Sequence, residues 1–354
     1  MRWLHLQKTG ASMANILFIC GSLNQTTQMH KIARHLIKEH QCYFTPYYAD
    51  GLINLLSKIG WLKFTVLGGR HKRETEEYLS RHNLNVDLRG EARPYDLVVT
   101  CSDLLIQRNI RGKRVVLVQE GITEPEGIMF YLVKWLKLPR YFANTATSGL
   151  SHEYDIFCVA SEGYAELFIR KGVRDEKIAV TGIPNFDNLK NSQINNFPFY
   201  GYVLVATSPL RETFRFDDRL AFIRKCSAIA GERNLIFKLH PLENAQRAVR
   251  EIHENAPGAL VFAHGDINQM IANADSVITQ QSTSTFVAIM LGKEVHTNLN
   301  VEELKRLMPI QNDGASAEYI ANICEHILHT PLEVLQVKRK RAQSRLEREQ
   351  ADAF

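Results

Sequence analysis

NLKNSQINNFPFYG, residues 188–201, keeps neither a helical nor a strand period, is rich in asparagine and carries Pro198. On both sides of it short apolar runs alternate with segments of helical period. A break of that kind between two repeats of one pattern is a linker. It falls near the middle of 354 residues, a length that exceeds what one hydrophobic core usually serves. The expected boundaries are an N-terminal extension over 1–14, a first domain over 15–188, the linker over 189–201, a second domain over 202–330, and a basic C-terminal helix or tail over 331–354.

Before the linker, strand-like runs fall at 15–22 (NILFICGS), 42–48, 63–69 (KFTVLGG), 95–103, 113–121, 154–162 and 177–184; after it, at 202–209, 235–241, 259–265, 275–281 and 293–297. YDLVVTCSD (95–103) and KRVVLVQEG (113–121) are apolar without alternation, the mark of central strands covered on both faces. Strands alternating with helices imply parallel sheets joined by crossover helices. The expected fold is α/β: two Rossmann-like domains with parallel sheets facing across a cleft. Ligands in such sheets bind beyond the carboxyl ends of the strands.

A hydrophobic fraction of 45% and a charged fraction of 23% are ordinary for a globular protein, and a net charge of +5 calls for no nucleic-acid partner. The six cysteines never reach CxxC spacing, so neither a disulfide framework nor a zinc site is expected. No apolar run is long enough to span a membrane, and residues 1–12 lack the core of a signal peptide. These features point to the cytoplasm. The four basic residues Lys338 to Arg341 fit a solvated helix, or peripheral contact with an anionic inner membrane face.

Four places could carry chemistry. LIFKLHPLEN (235–244) puts His240 where a strand ends, with Lys238 on the same strand face and Pro241 turning the chain away. VITQQSTSTFVAIMLG sets Gln281, Ser282, Thr283 and Ser284 in the turn before a helix, where free backbone N–H groups and hydroxyls suit a phosphate; the plainer role is helix capping. VVLVQEGITEPEG places Glu120 at the mouth of the first sheet, where partial burial suits a general base, and Gly121 lets a ligand approach the backbone. Asp103 ends the preceding strand and is expected beside Glu120. CGSLNQTTQ, a strand–turn–helix junction, offers Ser22, Asn24 and Gln25 to a hydroxylated acceptor, although capping is again the plainer role. The sequence has no GxGxxG fingerprint at that junction, and no GxxxxGK[ST], GxSxG, HExxH or Asp-x-Asp motif. Neither a metal nor a cofactor is expected.

In this order of features the chain resembles the two-domain glycosyltransferase B (GT-B) superfamily, which includes UDP-N-acetylglucosamine 2-epimerases, over residues 15–330. The resemblance rests on YDIFCVASEGYAELFIRKGVRDEKIAVTGIPNFDNL with its Thr181–Gly182–Ile183–Pro184 turn and Asp187, on His240-Pro241-Leu242-Glu243-Asn244, and on LGKEVHT. It implies that Asp103, Glu120 and His240 match epimerase catalytic positions. Two departures stand against the epimerases: QQSTSTFVAIM lacks their Ser-Gly-Gly-x-x-Glu-Glu acids, and the first loop lacks Gly-Thr-Arg-Pro-Glu. The His-Pro pair with a Ser/Thr turn resembles instead capsule sugar transferases, bacterial sialyltransferases and polyol-phosphate transferases, which use CMP- or CDP-linked donors. The implied function is a metal-independent glycosyltransferase of surface polysaccharide synthesis. It would take a CMP-, CDP- or UDP-linked sugar as substrate and a glycan or lipid-linked acceptor. A 2-epimerase and a catalytically silent nucleotide-sugar binding module are the alternatives.

Overall fold

A short apolar run with no polar interruption, bounded by turns and rich in β-branched and aromatic residues, suits a strand covered on both faces. β1 (Asn15–Cys20) meets that condition: Ile16 through Cys20 are all sealed from solvent. Its side chains alternate, Leu17 and Ile19 entering one apolar cluster and Ile16 and Phe18 another. Each such side chain contributes roughly 2 kcal/mol of burial. The computed structural model describes residues 13–62, 65–213, 215–280 and 282–339.

Around β1 the first domain builds a parallel sheet in the order β2-β1-β3-β4-β5-β6, with β2 (Gln41–Pro46), β3 (Leu97–Thr100), β4 (Arg114–Val118), β5 (Ile156–Val159) and β6 (Ile178–Val180). Its helices are α1 (Leu23–Leu36), α2 (Gly51–Lys58), α3 (Gly69–Arg81), α4 (Ile128–Leu136) and α5 (Glu162–Lys171). The second domain repeats the plan in the order β11-β10-β7-β8-β9, with β7 (Val203–Ala206), β8 (Leu235–Lys238), β9 (Leu260–Phe262), β10 (Ser276–Thr279) and β11 (Glu294–His296). Between and after these strands run α6 (Arg219–Ala230), α7 (Ala245–Asn255), α8 (Ile267–Asn273), α9 (Ser284–Met290), α10 (Val301–Leu307) and α11 (Ser316–His329). All paired strands are parallel. The α/β architecture of two Rossmann-like domains is therefore as expected.

Two expectations need correction. The strand expected over KFTVLGG (63–69) is absent from its described part: Lys63 and Phe64 lie outside the described residues, 65–68 form a turn, and Gly69 opens α3. Val66 and Leu67 pack on the core from that turn, so their apolar character reflects packing and not sheet pairing. The segment read as the linker is tied down by its own side chains, which leaves that reading unchanged. Asn195 and Asn273 exchange amide hydrogen bonds at 2.9 and 3.1 Å, and Phe197 packs edge-on against Tyr202 and Phe262.

The second correction concerns the end of the chain. α11 leaves the second domain and packs on α1, β3 and β4 of the first. Ala317, Ile320, Cys324 and Ile327 repeat at helical spacing and join Ile16 and Phe18 in one cluster. Polar ties fix the return: His40 Nε2 meets Glu325 at 2.8 Å, and Arg114 donates to Thr330 O at 3.0 Å. Residues 332–339 stay helical, and Arg339 is buried in a two-bond ion pair with Asp155, at 2.6 and 2.8 Å. The basic run thus loses Arg339 to the protein interior, and Lys340 and Arg341 lie outside the described residues. Among the described residues no helix is long and apolar enough to cross a membrane.

Candidate functional site

In each sheet the chain reverses its direction of winding beside the first strand, between β1 and β3 and between β7 and β10. Strand ends at such a point splay their loops apart and leave a crevice. Ser22 and Glu120 lie at this edge of the first sheet. Thr207, His240 and Ser282 lie at the matching edge of the second.

Ser22 caps α1, accepting from the Gln25 backbone N–H at 3.2 Å. The capping geometry aims the first turn of α1 at the loop after β4. There the Glu120 carboxylate receives three donors: Ser22 Oγ at 2.8 Å and Asn24 Nδ2 at 3.3 Å on Oε1, and Gln25 Nε2 at 2.6 Å on Oε2. A carboxylate has about four acceptor sites. Among the described residues three are filled, which leaves one on Oε2. Gln25 Oε1 is buried and has no partner among the described residues, a state that costs about 1–3 kcal/mol unless a donor meets it. Gly21 makes room for this amide, since a Cβ there would sit 2.0 Å from Gln25 Oε1. Ser22, Asn24 and Gln25 were expected at an acceptor; the structure turns all three onto Glu120.

Asp103 does not join this group. Its buried carboxylate accepts from the backbone N–H groups of Gly149 and Ser151, both at 3.0 Å, with Arg140 at 3.6 Å. Asp103 therefore anchors the 149–151 loop, and the expected partnership with Glu120 is corrected.

In the second domain the His-Pro turn is braced from below. The His240 backbone N–H donates to Thr207 Oγ1 at 3.0 Å and to Glu243 Oε2 at 2.7 Å. Glu243 also bonds the Thr207 hydroxyl and pairs with buried Arg219. The imidazole Nδ1 accepts from the Leu242 N–H at 3.1 Å, which makes Nε2 the protonated nitrogen of the neutral ring. Burial first, then His71, Lys238 and Arg70, hold the His240 pKa down to about 4. His240 is thus a neutral N–H donor at ordinary pH. Lys238 is turned to the chain itself, donating to Leu239 O at 2.8 Å and Ala263 O at 3.2 Å; burial lowers its pKa. It supplies charge near the turn, with two of its three ammonium hydrogens committed to carbonyls.

The Ser/Thr turn is partly self-satisfied. Ser282 Oγ accepts from the Ser284 N–H at 3.2 Å and donates to Ser284 Oγ at 3.0 Å. Thr285 is buried against Thr279 at 2.9 Å. Hydrogen bonds within the turn thus occupy Ser282, although Thr283 is the N-cap of α9 and makes no side-chain cap bond, and core packing explains Thr285. Thr283 faces the other domain: a Cβ on Gly121 would lie 2.7 Å from its methyl group, so Gly121 serves a close approach between domains and not only to a ligand. Gln281 lies outside the described residues.

The cleft holds residues that sequence reasoning missed. Arg70 donates to the Pro241 carbonyl across the domains, and Arg215 pairs with Glu124 in the same sense. His71, beside Arg70, feels the charge of Glu120, and it helps hold the His240 pKa down. KRETEEYLS reads as a solvated helix, and nothing in that pattern marks its first turn as a cleft wall. The pairing of Glu243 with Arg219 was equally hidden, the two being 24 positions apart.

No protein-family model matches the sequence, and a search of curated proteins finds no relative. Solved structures do match, across nearly the whole chain. UDP-GlcNAc 2-epimerase from Neisseria meningitidis, bound to UDP-GlcNAc, is 11% identical with a TM-score of 0.57, over 88% of this chain and 100% of that one. The S. aureus MnaA–UDP complex is 13% identical with a TM-score of 0.54, over 89% and 97%. A variant of the wall teichoic acid polymerase TagF is 12% identical with a TM-score of 0.50, over 89% of each chain. At these identities the likeness is one of fold, and the fold is GT-B-like.

Proposed function

We propose that this chain is a sugar-nucleotide enzyme and, within that class, a metal-independent glycosyltransferase. It would move a sugar from a CMP-, CDP- or UDP-linked donor to a glycan or lipid-linked acceptor of surface polysaccharide synthesis, in the cytoplasm and without a cofactor. The observation that carries this reading is the Glu120 carboxylate, held by three donors with one acceptor site open, at the cleft edge opposite a neutral His240. Glu120 Oε2 takes the acceptor hydroxyl proton as the acceptor oxygen bonds to the anomeric carbon. The bond from that carbon to the donor phosphate breaks, and its electron pair leaves with the nucleotide. His240 Nε2–H, with Arg70 nearby, offsets the negative charge that grows on the leaving phosphate. Direct attack of this kind inverts the anomeric centre. Ser282, Thr283 and Ser284 contribute the remaining wall on the phosphate side.

The epimerase reading needs Asp103 to work with Glu120 and His240, and the bonds of Asp103 to Gly149 and Ser151 speak against it. A silent binding module would leave the arrangement around Glu120 without a use. The test is incubation with CMP-, CDP- and UDP-linked sugars, with and without a membrane glycan fraction as acceptor. Acceptor-dependent release of free nucleotide, abolished by Glu120→Gln, is the expected result. Conversion of UDP-GlcNAc to its 2-epimer without any acceptor would replace this reading with the epimerase one.

A further inference from the structure

A short helix that is apolar on all sides must bury its outer face against something. α4, IMFYLVKWL, is apolar at every position but Lys134. Its inner face is spent on Phe130 and Val133, which pack with Ala143 and Ala146. The outer face is bare: Ile128 is 80% exposed and Trp135 69%, with Tyr131, Leu136 and Phe142 beside them. Tyr131 and Trp135 lie ring against ring at 5.7 Å, forming one aromatic surface. α2, GLINLLSK, is starker, since none of its residues is buried. Trp61, just beyond it, is 71% exposed.

These two surfaces leave the same edge of the same parallel sheet, after β2 and after β4. Their charge is one-sided. Residues 127–142 and 51–62 contain no Asp or Glu, while Lys58, Lys134 and Lys137 stand exposed among the apolar side chains. Arg140 is excepted, being turned inward onto Asp103. Nine residues are too few to cross a bilayer. Tryptophan and tyrosine with long basic side chains are the groups that seat at a lipid headgroup boundary, where the aromatic ring enters the apolar layer and the ammonium reaches anionic headgroups.

We propose that the first domain docks on an anionic membrane surface through the outer face of α4, with α2 and Trp61 as a second point of contact. This surface replaces the basic C-terminal run as the site of membrane contact, and it stands without the transferase reading. If both hold, the loop from Glu120 leads directly into the lipid-facing helix.

The test is co-sedimentation of the full chain with vesicles of phosphatidylglycerol in phosphatidylcholine, and with phosphatidylcholine alone. Trp135→Glu, Leu136→Glu and Trp61→Glu are compared, with circular dichroism melts to show that each variant folds; all three positions are exposed, so melting should be unchanged. Binding to the anionic vesicles that falls roughly tenfold in the α4 variants, and less in Trp61→Glu, is the expected result. Absence of vesicle binding by the parent chain, or binding undiminished by the variants, overturns the proposal. So does concentration-dependent self-association abolished by the same variants without vesicle binding, because the face would then join two copies of the chain.

Discussion

Gln25 Nε2 donates to Glu120 Oε2 at 2.6 Å, so the first turn of α1 and the loop after β4, 95 positions apart, meet at one carboxylate. A carboxylate so fixed is pre-aimed, and replacing it removes the proton acceptor while leaving its cradle in place. Glu120→Gln should lower transfer by about 10²–10⁴-fold, with nucleotide affinity within a few-fold of the parent. Turnover and nucleotide titration measured on the same preparation check this. Full turnover in the variant would remove Glu120 from the chemistry.

Gly21 tests the cradle itself. Gly21→Ala drives a methyl group into Gln25 Oε1, 2.0 Å away, and the flexible amide must swing off Glu120. Stability should change by less than about 1 kcal/mol, since only the end of a side chain moves. Turnover should nevertheless fall at least tenfold. A variant as active as the parent would mean that Gln25 is not needed to hold the carboxylate.

The brace beneath His240 is a stability element. Glu243 and Arg219 are both buried, and burial raises the Glu243 pKa despite the guanidinium beside it. Arg219→Met should cost roughly 3–5 kcal/mol in urea unfolding, because it strands a buried carboxylate. Arg219→Met with Glu243→Gln should cost less than the sum of the two single changes. Additive losses would show that the two side chains act independently.

Much of this was legible beforehand, and the rest was hidden for physical reasons. Central strands such as β3 and β4 announce themselves because burial on both faces demands unbroken apolar runs. His240 and Glu120 could be placed at the cleft edge from sequence because strand ends in a parallel sheet face that edge. KFTVLGG misled because an apolar turn packed on a core has the composition of a strand. α11 misled because its apolar stripe states that it packs but not on which domain. Asp103, Glu243 and Arg70 take their roles from partners far along the chain, and no local pattern encodes those.

Acid should destabilise the fold through histidines. Burial, reinforced by neighbouring cations, holds His30, His152 and His240 to about 4 against an ordinary 6.5. The unfolded chain therefore binds more protons than the folded one between those values, so stability is complete above pH 6.5 and declines as pH falls toward 4. The urea midpoint should drop between pH 7 and pH 5, and His152→Gln should flatten that dependence. A midpoint that holds or rises over this range would contradict the burial of these rings.

The most direct test of the central claim is a thermal-shift panel of CMP, CDP, UDP, GDP and ADP against the parent chain and His240→Ala. A ligand that binds only the native state raises the melting temperature by mass action, equivalent to about 2.7 kcal/mol at a hundredfold excess over Kd. The account predicts a shift with one pyrimidine nucleotide that disappears in His240→Ala. No shift with any nucleotide, or one untouched by the loss of His240, would contradict it.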